Sequence, residues 1–271
     1  MVLKVEREDA SSRGKAEEIA PDSSTSPDFV RALFNDTAPH YDTVNRIFSL
    51  GSGNWYRRRC LRRAGLKRGD RVIDIATGTG LIADAARSIV GDTGQVIGLD
   101  LSEAMLAEAK RKLSIPFVQG RADGLPICDA SIDFIVMGYA IRHVPDLSSC
   151  LREFQRVLKP GGTALLLEVS SPANLVYRST LARYLGKGVP LLSRLVTRQP
   201  KIRTLMDYHW ETMENCVPPT TIIKGLREAG FAEIVCETWF DLFRSYWGRK
   251  APDFRNEAAA SNNKALFAFA L

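Results

Sequence analysis

From Arg71 onward the chain alternates short apolar runs with helical segments, and this alternation limits the fold more than any other feature. RVIDIA, QVIGLD, IPFVQG, FIVMGYA and TALLLEV are β-branched or continuously apolar runs of strand length; LIADAARSIV and SEAMLAEAKRKL between them repeat at helical spacing. A strand that is apolar on both faces must be covered on both, and alternating helices do this. The pattern predicts an α/β fold: a mostly parallel sheet with helices on both faces. PDLSSCLREFQRVLKPGG fits the same plan. Its Leu147, Cys150, Leu151, Phe154, Val157 and Leu158 form one helical stripe, and Pro-Gly-Gly stops the helix. The helix PPTTIIKGLREAGF, the run FAEIVCETWF and a closing ALFAFAL bring the expected sheet to seven strands.

Residues 1–26 are rich in Ser, Asp, Glu and Lys and poor in large apolar groups, so burial cannot offset the entropy of ordering them, and they read as a flexible tail. Residues 27–271 read as one domain. Within it, 27–66 form a helical cap, with Phe29, Val30, Leu33 and Phe34 on one stripe, and 172–217 form a helical insert on the substrate side. No run of eighteen apolar residues occurs and the first residues lack a signal-peptide core, so a cytoplasmic address is expected. The five cysteines are scattered and never spaced as CxxC, which argues against a disulfide framework or a metal site.

Positive charge is concentrated in WYRRRCLRRAGLKRGDR, where eight of seventeen residues are Arg or Lys. Such a segment is either a solvated helix face or a surface for phosphate, on nucleic acid or anionic lipid. No aromatic-interleaved basic sheet or zinc motif accompanies it, so no nucleic-acid partner is expected.

VIDIATGTG places a Gly-rich turn between a strand and a helix, at the carboxyl edge of the sheet where ligands of open α/β folds bind. Gly78 and Gly80 allow close backbone approach. Asp100, 26 residues past Asp74, ends the next strand and can accept both hydroxyls of a ribose. The loose GxGxxG/A pattern of Gly78, Gly80 and Ala83 also admits a nicotinamide oxidoreductase. S-adenosylmethionine is favoured by Asp74, an acid that suits a cationic methionine moiety and would repel a pyrophosphate. Asp123, after the third strand, can accept the adenine amino group. Each acid also has a purely local use: Asp74 in loop bonds, Asp100 at the start of the next helix, Asp123 in a turn.

YDTVNRIFSLGSGNW, VIDIATGTG, GYAIRHV and RVLKPGGTALLLEVS together resemble the ubiquinone/menaquinone biosynthesis C-methyltransferases, a branch of the class I S-adenosylmethionine-dependent methyltransferases, over roughly residues 30–235. The resemblance implies a Rossmann-like fold and a cofactor pocket holding Thr79, Asp100, Arg121, Ala122 and Gly138, to which Tyr41, Ala76 and Leu101 are added as neighbours. Gly53 stands near where the family has a histidine, and Arg142-His143 replaces its Arg-Asn pair. DLFRSYWGRKAPDFRNEAAASNNK reads as an extension past the family's usual end.

By that resemblance the acceptor is a small lipophilic or phenolic molecule, a quinone precursor or a phenolic secondary metabolite. Peripheral membrane contact and a homodimer remain open. Methylating a ring carbon calls for a positioned ring and loss of a phenol proton. The expected catalytic groups are Arg142 for phenolate charge and His143 as base, at the tip of the fourth strand. Tyr208 and His209, in DYHW, are further candidates for the pocket wall or the base.

Overall fold

The computed structural model describes residues 2–3, 27–189, 191–192 and 201–252. Their strands form a single sheet: β1 (Val2–Leu3), β2 (Arg71–Ile75), β3 (Gln95–Asp100), β4 (Phe117–Gln119), β5 (Ile132–Gly138), β6 (Leu158–Val169), β7 (Phe231–Trp239) and β8 (Phe243–Lys250), in the order β1-β7-β8-β6-β5-β2-β3-β4. The β4-β3-β2-β5-β6 part pairs parallel throughout, whereas β8 lies antiparallel between β6 and β7. The helices are α1 (Pro27–Phe48), α2 (Gly53–Arg63), α3 (Leu81–Val90), α4 (Glu103–Lys112), α5 (Leu147–Val157), α6 (Leu175–Arg183), α7 (Lys201–Glu214) and α8 (Pro219–Glu228).

The continuous apolar strands are explained by cover on both sides. On one face Ile73, Ile135, Met137 and Leu166 pack under Leu151 and Phe154 of α5 and Ile222 and Leu226 of α8. On the other, Val72, Phe134, Val136 and Leu165 pack under α3 and under Tyr56, Cys60 and Leu61 of α2. Neighbours along each strand therefore serve opposite cores, as period-two alternation requires. A third core joins α1 to α7 through Leu33, Val44, Leu205, Met206 and Met213, above the carboxyl end of the sheet. α1 also packs on α4, and α2 on α3.

The chain's end differs from the sequence expectation. Phe243–Lys250, read as part of an extension, is the reversed strand β8 inside the sheet, bonded on both sides. Its run FRSYWGRK carries Arg, Ser and Gly because its backbone pairing and the flanking strands hold it, so it gives no apolar-run signal. ALFAFAL, read as the last strand, lies outside the described residues. So does most of the 1–26 tail, apart from Val2–Leu3, which pair with Glu237 and Cys236. Among the described residues no helix is long and apolar enough to cross a membrane, and no group of three or more His, Cys, Asp or Glu could hold a metal ion.

Gly98 of β3 sits in register with Asp74, and a Cβ there would meet the Phe117 ring at 2.7 Å and Thr77 Cγ2 at 3.0 Å. Gly98→Ala should lower unfolding free energy by roughly 1–3 kcal/mol, the usual range for overpacking. Urea denaturation checks this; an unchanged midpoint would mean that the ring moves aside freely.

Candidate active site

The turn after β2 is built from backbone conformations that side chains rarely adopt. Ala76, Gly78 and Gly80 have φ of 55°, 57° and 86°, and Thr77 N–H donates to Leu99 O at 2.9 Å. Asp74, fully buried, accepts from Thr77 Oγ1 at 2.7 Å; its Oδ1 is buried with no partner. Burial pushes its pKa up to about 7, against the opposing bonds from Thr77 and the Ala83 amide. Asp74 thus sits behind the turn rather than in the chamber in front of it.

That chamber, about 180 Å³, is walled by Ala76, Gly78, Leu101, Ala122, Gly138 and Tyr41, with Asp100, Arg121 and Asp123 among its polar groups. A Cβ on Gly78 would meet nothing within 4 Å, so the missing side chain leaves chamber space beside bare backbone. Asp100 Oδ2 accepts from Gly78 N–H at 2.7 Å and Oδ1 from Ser102 N–H at 2.8 Å, which ties the turn to the start of α4. Each oxygen keeps a lone pair for a further donor. Burial raises the Asp100 pKa against those amide bonds. Arg121 and Asp123 pair at 2.7 Å, and this bond holds the Asp123 carboxyl below its usual range.

Thr79 and Gly80 are not in the chamber wall: Gly80 caps α3, and the Thr79 hydroxyl bonds Asp42 of α1. Ser102 donates to Asn35 of α1 at 2.6 Å. These two bonds lay α1 across the chamber, a latch that sequence reading missed because its halves are 37 and 67 residues apart.

A second chamber of about 110 Å³ adjoins the first, and Tyr41 and Tyr139 line both. It is mainly apolar, with Val44, Phe48, Met206, Met213, Trp239 and Phe243, and it carries Arg57, Arg142 and His209. Tyr139, at φ 61°, is the residue where β5 breaks into the short turn Ile141–His143. Tyr139 therefore holds a strained backbone conformation where the two chambers meet.

The strand tip divides its two polar groups. Arg142 enters the apolar chamber, buried, with Glu168 Oε1 at 3.4 Å; it also donates to Val169 O and Tyr139 O. His143 enters the first chamber. Its Nδ1 is 2.7 Å from the Tyr208 hydroxyl and the rings stack at 5.4 Å, while its Nε2 is buried without a partner. Burial, then Arg142 and His209, hold the His143 pKa well below the ordinary value. Burial and Arg142 push His209 down to about 3, so both imidazoles are neutral. Tyr208 lines neither chamber, and burial raises it to about 12 against the lowering effect of Arg142.

Residues 22–240 match the sequence profile of the ubiE/COQ5 methyltransferase family. The chain is 33% identical to a demethylmenaquinone methyltransferase of Lactococcus lactis subsp. lactis (strain IL1403) over 213 residues, 76% of this chain and 82% of that protein. It is 31% identical to one of Staphylococcus aureus (strain JH9) over 219 residues, 79% and 89% of the two. In fold it is similar to the crystal structure of an S-adenosylmethionine-dependent methyltransferase from Aquifex aeolicus, with a TM-score of 0.56 at 17% identity, covering 77% of this chain and 97% of that one. The chain belongs to the ubiE/COQ5 methyltransferase family. It is an S-adenosylmethionine-dependent methyltransferase on the Rossmann-like class I fold.

Buried Asp74 has a sharp consequence for pH. Its folded-state pKa lies above the unfolded carboxylate value, so the stability it contributes by staying protonated is present at low pH and lost as pH rises towards 7. Melting temperatures of wild type and Asp74→Asn, compared without cofactor, should diverge between about pH 4 and 7 with wild type losing ground, at up to about 1.4 kcal/mol per pH unit, and keep a constant gap above that. The histidines are common to both proteins and cancel. A gap that is also constant below about pH 7 would show that Asp74 does not titrate in this range.

Proposed function

We propose that the enzyme methylates a ring carbon of a phenolic or quinol acceptor, an isoprenoid quinone precursor. The observation that carries this reading is the pair of chambers meeting at Tyr41 and Tyr139, one polar at its rim and walled by the Gly-rich turn, the other apolar and aromatic. The names of the family relatives support the substrate class.

The first chamber suits S-adenosylmethionine. Asp100 has lone pairs to spare for ribose hydroxyls, Gly78 exposes backbone, and Leu101, Ala122 and Val144 offer apolar surface for a flat heterocycle. When bound, the cofactor supplies an electrophilic methyl group. The protein's own task is to hold the ring and manage its proton. Moving a proton from a phenol to an ordinary imidazole costs roughly 5 kcal/mol by reference pKa values, and a buried imidazole is a weaker base still. Cationic help at the ring oxygen is therefore required. Arg142, at the apolar chamber, gives it; His143, kept neutral and fixed through Tyr208, takes the proton at Nε2 in the tautomer that donates from Nδ1.

A prenyl tail would leave through the chamber mouth, where Trp55 and Phe240 are 58% and 73% exposed and the neighbouring Leu50 is 81% exposed. The basic segment is not one face: Arg57 is buried, Arg58 is half-buried, Arg59 lies 4.4 Å over the Trp239 ring, and Arg63 pairs with Glu237; of the exposed remainder, Arg62, Lys67, Arg68 and Arg71, the first three are those offered to anionic lipid. Charge reversal by Arg62→Glu with Lys67→Glu should weaken binding to anionic vesicles fivefold or more, at about 1 kcal/mol per charge. Sedimentation with vesicles measures it; equal binding would remove the membrane contact.

Transfer of isotopically labelled methyl from S-adenosylmethionine into a cell extract, with organic and aqueous phases analysed apart, tests the substrate class. Label should appear in a quinone-like lipid; label in an aqueous phenolic product would assign a secondary metabolite instead. With that acceptor, His143→Ala should lower the rate roughly 100- to 10,000-fold, the range for a lost general base. Tyr208→Phe should cost less, and an undiminished rate in His143→Ala would put the proton elsewhere.

A further inference from the structure

Arg57 is a buried cation, only 5% exposed, on the wall of the apolar chamber. Among the described residues no carboxylate lies within ion-pair distance of it. Its one hydrogen bond runs from Nη2 to the neutral amide oxygen of Asn45, at 2.7 Å, and its Nε is buried with no partner. Arg142, the other guanidinium of the chamber, differs in having Glu168. The chamber thus carries one positive charge that the protein does not balance, in surroundings that are mainly aromatic and aliphatic. Water solvates such a group poorly there, and a desolvated guanidinium left unpaired is destabilising unless an anion completes it. Asn45 turns one edge of the fork, and Gly53 leaves room for another: a Cβ there would come within 3.0 Å of Nη1. The guanidinium is held in place without being neutralised.

We infer that Arg57 is the acceptor-recognition residue of the apolar chamber, and that it binds the acceptor through a deprotonated ring oxygen. This rests on reading that chamber as the acceptor site. A guanidinium bonded to a phenolate favours the anion over the phenol by charge-assisted hydrogen bonding. The ring is then held with its electron density raised, and the proton has already become easier to remove before the methyl group is met. A neutral ring of the same shape binds without that bond.

The test uses the full chain and 4-nitrophenol, whose phenolate is yellow, whose phenol is colourless, and whose free titration lies near neutrality. Bound to wild type, the probe should titrate at least about one pH unit lower than in solution, equivalent to tenfold tighter binding of the anion. Arg57→Gln should remove most of the shift, leaving only what Arg142 supplies, while the probe still binds as the neutral phenol, and Arg57→Lys should keep more of it. S-adenosylmethionine binding, measured on the same preparations, reports whether each variant is folded. A wild-type probe that titrates as it does in solution overturns the inference without any variant, as does a shift that survives Arg57→Gln undiminished. If cofactor binds but no form of the probe does, the chamber is not the acceptor site and the inference falls with that reading.

Discussion

The Asp100 carboxylate is the tie on which the site's shape depends. One oxygen accepts from Gly78 in the turn after β2 and the other from Ser102 at the start of α4, so a single side chain fixes the spacing of two neighbouring loop-to-helix junctions. Backbone amides at a turn and a helix start are unsatisfied unless something accepts from them. The same carboxylate satisfies both and still faces the chamber. Ser102 in turn caps α4 at Met105 and bonds Asn35, and Thr79 bonds Asp42, so the tie extends upward into α1 and fixes the roof.

This arrangement was partly legible in the sequence. The parallel sheet followed from strands apolar at every position, because two-sided cover is the only environment that suits Ile73 beside Val72 or Met137 beside Val136. The first chamber followed from the spacing of Gly78, Asp100 and Asp123. β8 was not legible, since its Arg244, Arg249 and Lys250 are carried by pairing on both edges rather than by burial of every side chain. Nor was the position of Asp74: an acid one turn from a glycine loop looks the same in sequence whether it faces the ligand or, as here, bonds Thr77 behind it. Strand direction is a local property. The side of a turn on which a carboxylate lies is not.

The tip of β5 makes the same point about function. GYAIRHV places Arg142 and His143 together, and adjacency suggests that their side chains line one pocket; the short turn Ile141–His143 instead sends them to two adjoining chambers. The separation has an electrostatic logic. A cation beside a neutral imidazole lowers its basicity, and Arg142 does this to both His143 and His209. The imidazoles therefore contribute no charge, and the electrostatics of the apolar chamber are set by its guanidiniums.

Those guanidiniums are not equivalent, and the difference comes from the sheet. Arg142 follows β5 and meets Glu168 near the end of the adjacent β6, so parallel pairing itself delivers its counter-charge. Arg57 comes from the cap, where α2 packs on α3, and has only Asn45 of α1 to turn to. A carboxylate at position 45 would have completed a buried ion pair and left the chamber neutral. An amide in its place orients the guanidinium and leaves its charge unspent. Under the proposed ring methylation, which needs electron density on the acceptor, such a fixed positive charge would stabilise the ring oxygen that supplies the electrons. It also stands apart from the first chamber, whose wall does not include Arg57.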